Sequence, residues 1–166
     1  MMSDFYAPEL ASLDLPSYMS EALREADAAG AAGELPIGAV LVIDGDIVAR
    51  GRARHRAMRS DIRHAELNAL LEGGDRLWEH PDKAILFTTV EPCILCLGAA
   101  VMADVPHIVF ALRDGLVQSN QIVRTNSYVR RHLRSYYGGV LQRESQALFQ
   151  TYDPKALAYI QTHRDE

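Results

Sequence analysis

Leu35-Pro-Ile-Gly-Ala-Val-Leu-Val-Ile-Asp-Gly-Asp-Ile-Val-Ala-Arg-Gly51 is the stretch that decides the fold. Ile37 to Ile43 is an apolar run of seven residues, Asp44-Gly45-Asp46 interrupts it, and Ile47 resumes it. Two β-rich runs around Asp-Gly predict a hairpin, because a two-residue turn needs positive φ at both central residues and these residue types supply it. Upstream, Met19, Ala22, Leu23 and Ala26 recur at helical spacing, and Gly30 and Gly33 end that helix. The first dozen residues read as a loose arm. Downstream, Ser60 or Asp61 can cap a helix running to Gly73, with Leu67, Leu70 and Leu71 as its buried stripe.

Farther on, Ala84–Val90 predicts a buried strand, and Pro92 suits the first position of a third helix that ends before Pro106. His107–Leu112 predicts another strand. Helices are expected near residues 127–134, over 142–152, and from Pro154 with Asp153 as its cap. The order helix, hairpin, helix, strand, helix, strand, helix indicates an α/β chain folded as a three-layer α/β/α sandwich. With no repeat, low-complexity tract or linker, residues 1–166 are expected to form one domain, with a core over 16–112 and a C-terminal helical segment over 115–166.

Composition narrows the function classes. Apolar residues make up 48% and charged residues 23%, which fits a globular chain and not a disordered one. The start lacks the basic and apolar segments of a signal peptide, and no apolar run approaches a membrane span, so a cytoplasmic protein without membrane contact is expected. The net charge of −5 hides an uneven distribution: six arginines and one acid between Arg50 and Arg63, and five arginines and no acid between Gly115 and Arg143. Solvated faces and salt bridges account for such stretches most simply; contact with phosphate or nucleic acid is the sharper alternative.

The chemistry sits in two helix starts. His64-Ala65-Glu66 opens one helix, and Pro92-Cys93-Ile94-Leu95-Cys96 opens the next. Cys93 and Cys96 are the only cysteines, and their spacing puts both sulfurs on one face of a first helical turn. Unpaired N–H groups and the positive end of the helix dipole favour thiolate over thiol, the form that binds metal. The same field disfavours an imidazolium, so His64 is expected to stay neutral and able to ligate. Two thiolates and an imidazole suit one zinc ion per chain, and three protein ligands leave a fourth position for water, as a catalytic site requires. Glu66, flanking the buried stripe opposite His64, is then placed to shuttle protons. A structural site closed by His55, His80 or His107, and a redox Cys-x-x-Cys pair, are the competing readings; neither gives Glu66 a task.

His-Ala-Glu followed by Pro-Cys-Ile-Leu-Cys resembles the zinc-deaminase signature of the cytidine deaminase superfamily. Within it the chain is most similar to the branch that includes tRNA adenosine deaminase, guanine deaminase and yeast-type cytosine deaminase. The resemblance runs over roughly residues 19–112, including Leu-Pro-Ile-Gly-Ala-Val-Leu-Val, Arg-His-Ala-Glu and Thr-Thr-Val-Glu-Pro-Cys-Ile-Leu-Cys. It implies a five-stranded mixed sheet between helices, His64, Cys93 and Cys96 as zinc ligands, Glu66 as proton shuttle, and a homodimer. It also implies a substrate-binding asparagine at the end of the second hairpin strand, where this chain has Ala53, and an acid near the substrate, where it has Asp114. Asp114 serves equally well as a loop residue capping the next segment.

The expected activity is hydrolytic removal of an exocyclic amino group from a free base, nucleoside or related heterocycle, with release of ammonia. A tRNA adenosine deaminase is the second reading, disfavoured by the net acidity and Ala53, and a silent zinc-stabilised binding module is the third.

Overall fold

The computed structural model describes residues 4–162. After a 3₁₀ turn at Pro8–Ser12, helix α1 spans Leu15–Ala31. Asp14 caps it by accepting from the Ser17 N–H at 3.1 Å, and Met19, Ala22, Ala26 and Ala29 form its buried face. Strands β1 (Gly38–Ile43) and β2 (Asp46–Arg52) pair antiparallel across Asp44 and Gly45, both with positive φ (53° and 85°), as the Asp-Gly turn requires. Then come α2 (His55–Met58), α3 (Ala65–Glu79), β3 (Ala84–Val90), α4 (Ile94–Met102) and β4 (His107–Leu112). The chain continues through α5 (Ser119–Thr125), α6 (Ser127–His132), β5 (Ser135–Tyr137), α7 (Gln142–Tyr152) and α8 (Pro154–Gln161).

The sheet has five strands in the order β2-β1-β3-β4-β5. β1 is antiparallel to β2 and β3, while β3, β4 and β5 run parallel, so the sheet is mixed. Helices α1 and α7 cover one face and α3 and α4 the other, giving the expected α/β/α layers. Every residue of β1, β3 and β4 is buried, which is why these strands are mainly apolar instead of alternating, with Thr88, Thr89 and His107 as their polar members. Two glycines set how closely helices approach the sheet. A Cβ on Gly38 would lie 2.2 Å from the Ala22 carbonyl oxygen, and one on Gly51 would lie 2.1 Å from that of Ala65. Gly51 therefore lets the first turn of α3 rest directly on β2.

The hairpin, β3, β4, α7 and the Asp153 cap of α8 fall where the sequence puts them. Helix α3 does not. Residues 54–63 close on themselves through the Arg54 N–H donating to the Arg63 carbonyl, so neither Ser60 nor Asp61 caps the helix, and His64 occupies the N-cap. The helix also passes Gly73 and kinks at Gly74, whose combination of φ 46° and ψ −129° only glycine adopts readily. Its buried stripe is Glu66, Ala69, Leu70, Gly73 and Leu77, while Leu71 is exposed, so Glu66 belongs to the buried face instead of flanking it. Likewise α4 begins after Cys93, with Pro92 outside it. The N-terminal arm is docked where it is described: Phe5 pairs with Tyr136 of β5, a strand the sequence did not reveal.

Candidate active site

β2, β3 and β4 all end at one edge of the sheet, where open α/β sheets place their ligand crevices. The loop from β2 leads into α3 and the turn from β3 leads into α4, so both helix starts converge there. His64 and Cys93 occupy the two N-cap positions in extended conformation, which turns their side chains toward each other. Cys93 Sγ lies 3.4 Å from His64 Nδ1. The ligand atoms of His64, Cys93 and Cys96 all lie within 4.8 Å of one another, a separation that one metal ion can bridge. On its far side His64 Nε2 is 3.0 Å from the Asp61 carbonyl oxygen. An N–H there donates to the carbonyl and leaves the Nδ1 lone pair facing the sulfurs, the arrangement that fixes the tautomer of a ligating histidine.

The electrostatics agree with a shared cation site. Hydrogen bonding from Cys96 draws the Cys93 thiol down to about 4 against the cost of burial, and His64 adds to the shift. The same sulfur pair pushes Cys96 up, so the two cysteines act as one thiolate–thiol couple. His64 departs from the sequence expectation: the hydrogen bond with the Cys93 sulfur raises its pKa, outweighing burial. Soft donors and a local negative charge are what zinc requires, and zinc binding displaces the protons these groups share. Glu66, 4% exposed, is pushed up to about 7 by burial, so it can accept and release a proton near neutral pH.

Beside these groups is a cavity of about 320 Å³. Leu35, Ile37, Val90 and Val117 give it apolar walls, and Phe149 of α7 with Ala156 and Ile160 of α8 close its far side. Ala53 lines it with a methyl group and is buried. Asp114 lines it too, and its Oδ1 accepts the Leu116 and Val117 N–H groups (2.8 and 3.2 Å), the loop cap that the sequence offered as one of its two readings. Burial raises its pKa. Of the histidines weighed as a fourth ligand, His55 lies in the pocket wall, its ring centroid 5.0 Å from that of His64. His107 instead contacts Ser135 on β5.

Sequence reasoning assigned no task to Glu91, although it sits inside the Glu-Pro-Cys motif. Its Oε1 accepts from the Tyr136 hydroxyl (2.6 Å) and Arg113 (3.4 Å), and its Oε2 from the Asp114 N–H (3.0 Å). Burial raises its pKa. This carboxylate ties the turn before the cysteines to β4 and β5. Six of the eleven arginines in the two stretches are engaged: Arg50 pairs with Glu21, Arg52 with Glu25 and Arg134 with Glu9, Arg130 stacks on Phe5, Arg56 bonds the Gly33 carbonyl and Arg63 bonds Asn68, while Arg54, Arg59, Arg124, Arg131 and Arg143 are exposed.

Residues 14–112 match the family model for the cytidine and deoxycytidylate deaminase zinc-binding region. The chain belongs to this family. Similar relatives include the tRNA-specific adenosine deaminase of Bacillus subtilis, 42% identical over 58% of this chain and 61% of that protein. The protein of the same name from Agrobacterium fabrum is 35% identical over 77% of this chain and 86% of its own length. Among solved structures, one from a study of A-to-I editing by tRNA:A34 deaminases superposes with a TM-score of 0.69 at 30% identity, over 80% of this chain and 98% of that one. The chain spans between 55% and 61% of the length of several bacterial relatives it matches. In this zinc-binding deaminase domain the family match ends at Leu112, before α7 and α8, which close the pocket.

Proposed function

We propose that the protein is a zinc-dependent hydrolytic deaminase acting on a free nucleobase, nucleoside or related heterocycle. His64, Cys93 and Cys96 hold the ion, which supplies Lewis acidity toward water and an open fourth position. Glu66 takes a proton from the attacking water, delivers it to the ring nitrogen of the amidine, and passes a second to the departing amine. A C–O bond forms at the amidine carbon, the C–N bond breaks, one water is consumed and ammonia leaves. The apolar walls hold the ring face, and the walls from α7 and α8 exclude bulk water.

The observation that carries the choice of substrate is the pocket lining. Among the described residues it contains Glu91 and Asp114 but no Lys or Arg, and α7 and α8 narrow it on one side. A phosphate carried into the pocket would face the carboxylates of Glu66, Glu91 and Asp114 beside the zinc, with no lysine or arginine in the lining to receive it. A tRNA-specific reading has its own support in the names of the bacterial relatives. Measuring ammonia from a panel of bases and nucleosides against inosine formation in an anticodon stem-loop, at matched enzyme concentration, separates the two. Turnover within the panel is expected; salt-sensitive deamination of the RNA with nothing from the panel would reverse the order.

The reading includes a homodimer. Leu71 and Trp78 of α3 and Ile94 and Met102 of α4 are 62%, 87%, 68% and 71% exposed, an apolar surface on two adjacent helices that a second copy would cover. It also includes a cytoplasmic location, where thiols stay reduced and able to ligate; no helix among the described residues is long and apolar enough to cross a membrane.

A further inference from the structure

Most polar side chains lining the cavity are already engaged. Glu91 accepts three hydrogen bonds, Asp114 Oδ1 accepts two, and His64 is held between Asp61 and Cys93. His55 is different. Neither nitrogen of its ring has a hydrogen-bond partner among the described residues, yet the ring stands in the pocket wall, edge-on to His64. The backbone that carries it is firmly held. The Glu34 carboxylate accepts from the N–H groups of Arg56 (3.0 Å) and Ala57 (2.7 Å), the two residues after His55. Arg56 Nη1 donates to the Gly33 carbonyl at 2.7 Å, and the Ser60 N–H donates to the His55 carbonyl at 3.0 Å. The single turn of α2 is thus pinned from both sides, while the group it presents to the cavity is left unpaired. Two residues earlier, Ala53 puts only a methyl into the same wall and leaves room for a ring edge.

We propose that His55 is the specificity-determining residue of the pocket, reading the polar edge of the heterocycle beside the carbon that loses its amine. The inference rests on the deaminase reading given above. An imidazole supplies one N–H donor and one lone pair in a fixed plane. Asp114 keeps Oδ2 without a hydrogen bond among the described residues, so it can accept from the ligand. The wall from α2 and the turn after β4 therefore select a ring with N–H groups on one edge and a ring nitrogen or carbonyl oxygen on another, an amino-lactam or diamino heterocycle. A monoamino ring without that second polar edge forgoes the hydrogen bonds to the half-buried His55 and Asp114, and the difference in bonding discriminates against it.

The test compares full-length, zinc-loaded wild type with His55→Phe and His55→Asn. Phenylalanine keeps the ring against His64 but removes both nitrogens; asparagine restores one donor and one acceptor. Guanine, 2,6-diaminopurine, adenine and cytosine serve as probes, read by ammonia release. Imidazole ¹⁵N signals are followed on titration of the same probes into the Glu66→Gln protein, which separates binding from turnover. For the best probe, His55→Phe is expected to raise KM about 2- to 10-fold, the range for losing a hydrogen bond to a half-buried neutral group, with kcat little changed and one zinc still bound. His55→Asn should recover most of the loss, and the His55 ¹⁵N signals should shift at saturation. An unchanged KM in His55→Phe with unshifted signals overturns the assignment. So does a variant that loses zinc and falls in kcat, because that marks a merely structural ring. If no probe binds or reacts, the deaminase reading on small rings fails, and His55 as its reader fails with it.

Discussion

Glu34 offers a direct measure of how the pocket wall is held. Its carboxylate is 8% exposed and accepts from two backbone N–H groups at the start of α2. Burial raises its pKa, but the bonds from Arg56 and Ala57, with the nearby His55 and Arg56 charges, outweigh it and leave the group below its ordinary value. Glu34→Gln keeps the shape but turns an NH₂ toward one of the two N–H donors. Each hydrogen bond to a charged group is worth about 1.5–3 kcal/mol. Losing one, with two donors then opposed, should destabilise the protein by about 2–3 kcal/mol at pH 7. The sign of the pH dependence follows from the lowered pKa: the contribution is complete above the unfolded value of 4.5 and lost as pH falls through the lower folded value. Urea unfolding of wild type and variant, both zinc-loaded, should show a gap that is constant from pH 8 to 6 and narrows below pH 4.5. Hydrogen exchange should quicken over residues 54–63 in particular. A gap near zero at pH 7, or one that widens in acid, would refute the claim that this carboxylate pins α2.

Other consequences can be checked independently. Gly51→Ala forces a methyl into the Ala65 carbonyl and should cost about 1–3 kcal/mol by overpacking while loosening zinc, read by chelator-driven release. Cys96→Ala removes a buried ligand and should lose most of the metal by elemental analysis, whereas a fully zinc-loaded variant would remove Cys96 from the site. Trp78→Glu with Met102→Glu should shift the sedimentation coefficient from dimer to monomer; an unaltered dimer would place the interface elsewhere.

What the sequence disclosed is what depends on local chemistry. Asp44-Gly45 announces its turn because few residues accept positive φ twice in succession, and β3 and β4 are legible because burial on both faces leaves runs of mainly apolar residues. His64, Cys93 and Cys96 could be grouped from their positions at two helix starts that follow strands. What it concealed depends on contacts distant along the chain. β5 is three residues long, and its pairing with β4 is set by the docking of Phe5 and the return from α6. The caps suggested for Ser60 and Asp61 lost to a loop closed between Arg54 and Arg63, which moved the start of α3 to His64 and turned Glu66 inward. Glu91 acquires its partner Tyr136 from 45 positions away, and His55 stands in the pocket wall on a helical turn that Glu34 holds from 21 positions upstream.

The claim beneath all of this is that Glu66 moves protons at a zinc held by other residues. The most direct measurement is the rate of ammonia release by Glu66→Gln on the best wild-type substrate, with zinc counted in the same sample. The account predicts one zinc per chain and a rate reduced by about 10²–10⁴-fold or more, the range for removing a general acid–base group. A variant that keeps its rate, or loses its zinc, would contradict it.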